Sequence, residues 1–599
     1  MVKINKTLGL ALLTALAASC SSDNDVTGTN NPTIENGEAN YATLKIDLPT
    51  RAGVRAVDFN DGLASEYTVN DATLLVFKKA GTSEQDYTFV ESVKLGNMNP
   101  WQKSSATGVT TSANVTAELH SATLTDLKAG NIYGLIILNN TSANGAKITI
   151  PTSTSTTYGK WNVADNATAA NMLDNTNGFV MANAPGWTTS GQAPTTLVQI
   201  DGSKVKPTKA QAEAAGAAAD IHVERGLAKV TLAKADADIT VGDNSTYADC
   251  TVKLDAWALD VTNKTSFPIH NIEGLNSTDN YADIWKSDGT ASTKENSPSV
   301  KRFVDGANTE FKRVYWGIDP NYGGNTRNQK GDAALNECKG AFNMVGESAL
   351  KDKFGDDNPQ YCLENTFDIN NMTQGQTTRV LIKATFTVPE SWSESDDPYY
   401  KTDGSKNLYK INGNGLYTAY QLADEIENYV KTHMNKVVTV SLDGTDIADK
   451  AGVHQLTTDN FITKSSGAKV RTRGASEKVH PNSVKLDQKE VDELNIVFKI
   501  TTYKDGVCYY IGRIKHFGDD ETPWNQGDPT YGKDNQKYLG RYGVLRNNWY
   551  SLSVADVSAP GDPEIPQVVP ENPDDDITNY IDLSVNVLKW AKRTDSFDL

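Results

Sequence analysis

Tyr41-Ala-Thr-Leu-Lys-Ile-Asp-Leu-Pro-Thr-Arg51 sets the reading of this chain. Leu44, Ile46 and Leu48 alternate with Thr43, Lys45 and Asp47, the period-two pattern of a strand with one buried face. Pro49 stops the strand, and Thr50-Arg51-Ala52-Gly53-Val54-Arg55 follows as a small-residue segment carrying two arginines. Such segments are where proteases cut. A cut at Arg51 or Arg55 would make a core strand detachable.

Outward from there the pattern stays that of strands. Ala72-Thr-Leu-Leu-Val-Phe77 and Ile132-Tyr-Gly-Leu-Ile-Ile-Leu138 are short, unbroken apolar runs closed by Lys, Gly or Asn. That is the signature of strands buried on both faces. Further strands are predicted at 221–232, 252–259, 379–388, 437–442, 496–503 and 542–554. One helix is predicted over Leu416 to His433, where Leu422, Ile426, Tyr429, Val430 and His433 make one apolar stripe. Pro207 to Ala219, rich in alanine, reads as a hinge or short helix between domains.

The far end of the chain mirrors the near end. Pro560, Pro563, Pro566, Pro570 and Pro573 stand in an acidic stretch that predicts a stiff, extended linker. Beyond it, Ile581, Leu583, Val585 and Val587 alternate with Asp582, Ser584 and Asn586, a second isolated strand pattern. An alternating run is ordinarily a resident strand. These two are set apart because each lies near a chain end beside a flexible or proline-rich segment.

The 599 residues exceed one core, and two or three domains are expected. Net charge is −18 and mean hydropathy −0.48, so nucleic acid and anionic membrane surfaces are poor partners. Residues 1–20 form a separate segment. Lys3 and Lys6 precede an apolar stretch too short to span a bilayer, which ends in Leu16-Ala17-Ala18-Ser19-Cys20. Small residues directly before a cysteine resemble a bacterial lipobox, with Cys20 the lipidated residue. Asp23 and Asp25 resemble an acidic surface-export signal, and Ser21 to Gly37 reads as a tether. For the remaining cysteines, Cys250, Cys338, Cys362 and Cys508, a Cys338–Cys362 disulfide and buried free thiols both stay open. No C-x-x-C pair supports a metal knuckle. None of the seven histidines lies in H-E-x-x-H, and no G-x-S-x-G elbow is present. Neither an enzyme, a cofactor nor a metal is called for.

Several words of the sequence together resemble the fimbrillins, the major fimbrial subunits of Bacteroidales typified by the FimA and Mfa1 pilins. They are Val223-Glu-Arg-Gly-Leu-Ala-Lys-Val230, Trp257-Ala-Leu-Asp-Val-Thr-Asn-Lys264 and Tyr315-Trp316 with Asp319-Pro-Asn-Tyr322. Tyr361-Cys-Leu-Glu-Asn-Thr366, Cys508-Tyr-Tyr510, Ile514-Lys-His-Phe517, Tyr542-Gly-Val-Leu-Arg-Asn-Asn-Trp-Tyr550 and Val585 to Trp590 follow. The C-terminal half is more similar to the Mfa1 branch. The resemblance implies an all-β fold of two tandem transthyretin-like Greek-key sandwiches, over 52–219 and 220–559. Residues 21–51 would be the tether and cleavable strand, and 560–599 the linker and donor strand.

It further implies a surface fimbria whose precursor is anchored to the outer membrane by lipid at Cys20. An arginine-specific protease would cut after Arg51, with Arg55 second. The strand bearing Leu44, Ile46 and Leu48 would leave, and the strand bearing Ile581, Leu583, Val585 and Val587 of a neighbouring copy would replace it. Partners would then be identical or related subunits joined head to tail, with host or bacterial surface ligands beyond them. The alternative is a surface-anchored or tip adhesin that binds host glycans or proteins.

Overall fold

The computed structural model describes residues 40–49, 63–95, 102–103, 109–143, 145–187, 194–235, 237–242, 246–272, 312–314, 316–322, 331–366, 368, 373–389, 392, 406–463, 479–517, 522, 524–525, 528, 538, 540–570, 572–574 and 581–589. Cys20, Arg51, Arg55 and Trp590 lie outside these residues.

The first unit is a nine-stranded sheet. Its strands are β1 (Asn40–Pro49), β2 (Ala72–Lys78), β3 (Thr88–Lys94), β4 (Gln102–Lys103), β5 (Val109–Leu119), β6 (Ile132–Leu138), β7 (Met181–Asn183) and β8 (Ala219–Arg225). They lie in the order β3-β2-β6-β7-β8-β1-β5-β4, with a short strand at Val198–Gln199 added to β6. Leu74 and Val76 of β2 share a core with Leu44, Ile46 and Leu48, while Leu75 and Phe77 join a second core with Tyr158 and Trp161. Both faces of β2 are therefore buried, which is why its sequence is apolar without alternation. Helix α1 (Lys209–Ala215), N-capped by Thr208, packs on β1, where a hinge or short helix is predicted.

Beyond Gly226 the chain continues through β9 (Leu227–Leu232), β10 (Ile239–Thr240), β11 (Thr251–Asp260), β12 (Gln360–Leu363) and β13 (Arg379–Thr387). Next come β14 (Leu408–Ile411), β15 (Asn414–Thr418), α2 (Ala419–His433), β16 (Gly452–His454), α3 (Gln488–Val497) and β17 (Ile500–Tyr503). The last strands are β18 (Val507–Arg513), β19 (Asn548–Val557) and β20 (Ile581–Lys589). Two four-stranded sheets, β12-β9-β19-β20 and β10-β11-β13-β18, contribute to one core that includes Val230, Trp257, Ile382, Tyr510 and Leu552. The architecture is all-β sandwich with few helices.

Two strand expectations change, and the open cysteine alternatives resolve. The predicted strand 221–232 is two strands in different sheets: β8 pairs with β1 and β7, β9 with β12 and β19. The chain thus passes from one sheet to the other at Gly226. A β-carbon there would come within 2.9 Å of Met172 Cε and 3.0 Å of Val180 Cγ1, so a larger residue would make those two side chains give way. Second, most buried apolar residues between 409 and 500 form their own cluster, where the sheet β15-β14-β17-β16 packs with α2 and α3 around Leu422, Ile426, Val491 and Leu494. The predicted strand at 496–503 is there the end of α3 followed by β17. Third, the four cysteines are free and buried, with Cys338 and Cys362 in different cores.

Candidate functional site

The first strand is seated as an interior strand. It runs parallel to β8 in the register Leu44 to Ala219 and Ile46 to Ile221, and antiparallel to β5 from Asn40 opposite Leu119. Both backbone edges are therefore hydrogen-bonded. Outside the ladder, Tyr41 exchanges backbone hydrogen bonds with Lys206 at 2.8 and 3.0 Å. Ala42, Leu44, Ile46 and Leu48 have no exposed surface. On the opposite face Lys45 bridges Asp47 and Asp220, at 2.5 and 3.1 Å. Burial lowers the Lys45 pKa, but its hydrogen bonds to the two carboxylates outweigh this and leave it raised.

The tail strand β20 is also seated, at the end of its sheet. It pairs antiparallel with β19 from Val557 opposite Ile581 to Asn548 opposite Lys589. Ile581 is buried, and Leu583 and Val585 pack partly buried against the core that includes Trp257 and Tyr510. Val587 lies opposite Tyr550 in the ladder.

The proline-rich stretch, predicted as a stiff, extended linker, is clamped to the fold. Asp562 and Tyr509 exchange backbone hydrogen bonds, and Arg379 donates to the Pro566 carbonyl at 2.9 Å. Asp574, which the sequence places in a solvated acidic run, is buried. It pairs with Arg513 at 3.1 Å and accepts a hydrogen bond from Thr377. The prolines set an extended path, and buried arginines on the adjoining strands hold it down.

Where the first sheet meets the part of the chain beyond Gly226 lies a seam of buried charge that pattern reading missed. Glu66 and Lys229 pair at 2.8 Å with essentially no exposure, and Tyr361 donates to Glu66 at 2.6 Å. Arg225 donates to the Glu66 carbonyl at 2.7 Å, and Lys229 Nζ lies 3.8 Å from the Trp549 ring centroid. Burial depresses the Lys229 pKa, with Glu66 opposing it. Across the seam, Glu224 accepts from Arg313 at 2.6 Å and contacts His270 at 3.0 Å, while Arg546 donates to Glu364 at 3.0 Å. Burial raises the Glu224 pKa, but Arg313 and His270 hold it down at about 2. Many words behind the family resemblance meet here: Glu224, Arg225 and Lys229 from one, Tyr361 and Glu364 from another, Arg546 and Trp549 from a third. The signal available in sequence was the presence of Glu, Arg and Lys inside apolar strand patterns, which requires partners once buried.

No curated protein matches the chain. Among solved structures it is similar to a candidate cell-adhesion protein from Parabacteroides distasonis ATCC 8503, at 10% identity and TM-score 0.36, covering 93% of this chain and 98% of that one. A second candidate cell-adhesion protein, from Bacteroides eggerthii DSM 20697, matches at 11% identity and TM-score 0.32 over 93% and 98% of the two chains. The tip fimbrial protein Mfa3 from Porphyromonas gingivalis, with a C-terminal truncation, matches at 10% identity and TM-score 0.25 over 92% and 100%. At these scores none of the three bears on what this chain does. Residues 501–596, which carry β18, β19 and β20, match the family model described as major fimbrial subunit protein type IV, fimbrillin, C-terminal.

Proposed function

We propose that the chain is a structural subunit of a cell-surface fimbria, exported as a lipoprotein precursor lipidated at Cys20. It is cut after Arg51 or Arg55 and polymerised when β20 of one copy replaces β1 of another. The observation that carries this reading is the place of β1. A strand near the chain's front, followed by arginines, fills an interior position in its sheet.

Four fully buried apolar side chains leave with that strand. At roughly 1.5–3 kcal/mol each, their burial amounts to roughly 6–12 kcal/mol, on the scale of a whole domain's stability. A slot emptied of that burial takes a substitute or loses its structure. The substitute must run parallel to β8 and antiparallel to β5, with apolar side chains at every second position. Ile581, Leu583, Val585 and Val587 repeat the spacing of Ala42, Leu44, Ile46 and Leu48. The clamp on the proline-rich stretch ends at Asp574. The seven steps from there to Ile581 span at most about 25 Å when extended, enough for the tail to swing outward. A front slot filled by a back strand is a heterologous contact, which propagates into a filament instead of closing as a dimer. A tip adhesin has no use for such a tail.

The test is digestion of purified full-length precursor with an arginine-specific protease, followed by N-terminal sequencing and gel analysis. The reading expects a new terminus after Arg51 or Arg55 and a ladder of polymers, with the ladder abolished by deletion of residues 577–599. A ladder from the truncated chain would remove the tail from the mechanism.

A further inference from the structure

The outward face of β1 carries a second feature besides the ion pairs of Lys45. In the parallel ladder Lys45 stands opposite Asp220, and Asp47 opposite His222. All four side chains project from the face opposite Leu44 and Ile46, because residues two apart share a face. A carboxylate oxygen from each of Asp47 and Asp220 and a ring nitrogen of His222 lie within 4.8 Å of one another. Among the described residues this is the one grouping of histidine, cysteine and carboxylate with that closeness.

A second, independent observation concerns Asp47. The residue is 2% exposed, and its Oδ1 is buried without a hydrogen-bond partner, while the carboxylate's other oxygen, Oδ2, pairs with Lys45. Buried carboxylate oxygens are normally satisfied. We propose that Asp47, Asp220 and His222 form a zinc-class cation site that staples β1 to β8. Two carboxylate oxygens and one imidazole nitrogen are a borderline donor set that suits zinc, with a fourth position left for water. Magnesium and calcium, which favour all-oxygen shells, are poorly served by it.

Lys45 is the built-in competitor. Its ammonium neutralises one of the two carboxylate charges and holds Oδ2 of each aspartate, leaving Asp47 Oδ1 open. Its side chain is 43% exposed, so it can turn into solvent as the metal enters. Zinc bound there would tie the first strand to its neighbour through side chains, in addition to the backbone ladder. The site itself belongs to the uncut chain. Only its effect on strand release rests on the fimbrial reading above.

The experiment uses uncut, full-length protein titrated with zinc chloride, with metal content measured after dialysis and melting temperature followed in parallel. The site expects one saturable zinc per chain and a raised melting temperature, with no response to magnesium chloride. Affinity should fall about tenfold or more in Asp220→Asn and His222→Asn, by analogy with the losses seen when a site's supporting groups are removed. It should tighten in Lys45→Met. Asp220 is exposed and carries no part of the core, so its variant separates loss of metal from loss of fold. Absence of saturable uptake, or uptake unchanged by both ligand substitutions, overturns the site. A protease time course then adds the second arm, in which zinc should slow the ladder. Uptake with an unaltered ladder overturns the staple and leaves the fimbrial reading intact. No ladder with or without zinc overturns the fimbrial reading and leaves the uptake result standing.

Discussion

Leu583 of the tail strand sits on Gly512 of the facing sheet, so close that a β-carbon on Gly512 would overlap Leu583 Cδ1. The missing side chain in β18 is the seat for a side chain from β20. Gly512→Val should therefore push the tail off its own sheet without touching the first unit. Overpacking of this kind costs about 1–3 kcal/mol. Limited proteolysis should show faster cleavage beyond Asp574 in the variant. Unchanged cleavage would mean that Leu583 finds another seat.

Ile46 and Leu44 make a different demand, because their burial is complete. Ile46→Ala or Leu44→Ala should cost about 2–5 kcal/mol in the uncut chain. Under the strand-exchange reading, the same substitutions should have no effect on polymer already formed from cut subunits, since β1 has left it. Denaturant melts of precursor and of isolated polymer make the comparison. A stability loss that persists in the polymer places β1 there still.

The Glu66–Lys229 pair offers a third test. Removing one partner of a buried ion pair strands the other, at a cost of about 3–5 kcal/mol. Lys229→Met should show that loss, and the double variant Glu66→Gln with Lys229→Met should recover part of it. Chemical denaturation of Glu66→Gln, Lys229→Met and the double variant measures the coupling. Additive losses would show that the two residues do not act as a pair.

How much of this was legible in the sequence follows from which forces leave a local trace. The strands at 44–48, 72–77 and 132–138 are local patterns, and each is a strand in the fold. The helix α2 was legible for the same reason, although it starts at Ala419, where Thr418 and Gln421 form a capping box. Residues 221–232 read as one strand because apolar periodicity does not say which sheet a residue joins. The break at Gly226 shows only in the pairing, where the two halves join different sheets. Ile496-Val-Phe498 looked like a strand because three apolar residues in a row carry no period, whereas the Asp487 and Glu490 capping box upstream marks a helix start. The tail strand was legible from its alternation, but the pairings of the charge seam were illegible for a stronger reason. Their partners lie up to hundreds of residues away, as Arg225 and Asn547 do, and no window of sequence contains both.

His516 gives the pH prediction. Leu545 N–H donates to the Tyr550 oxygen at 2.8 Å, which leaves the Tyr550 O–H to donate to His516 Nδ1 at 2.7 Å. The ring is thereby held neutral, with Nδ1 as acceptor. Burial, and then the positive charge of Arg313, push its pKa down to about 3 from an ordinary 6.5. A base whose folded-state pKa is depressed contributes stability that is whole above its unfolded value and is lost as pH falls toward the folded one. The window is therefore pH 6.5 down to about 3. At pH 4 the loss from this residue reaches about 3 kcal/mol. His516→Gln, which cannot take up the proton, should be less stable than the native chain at pH 7 yet lose less on acidification. Urea midpoints at pH 7 and pH 4 for both proteins decide the matter. Parallel decline of the two would mean that carboxylates elsewhere, and not His516, set the acid limit of the fold.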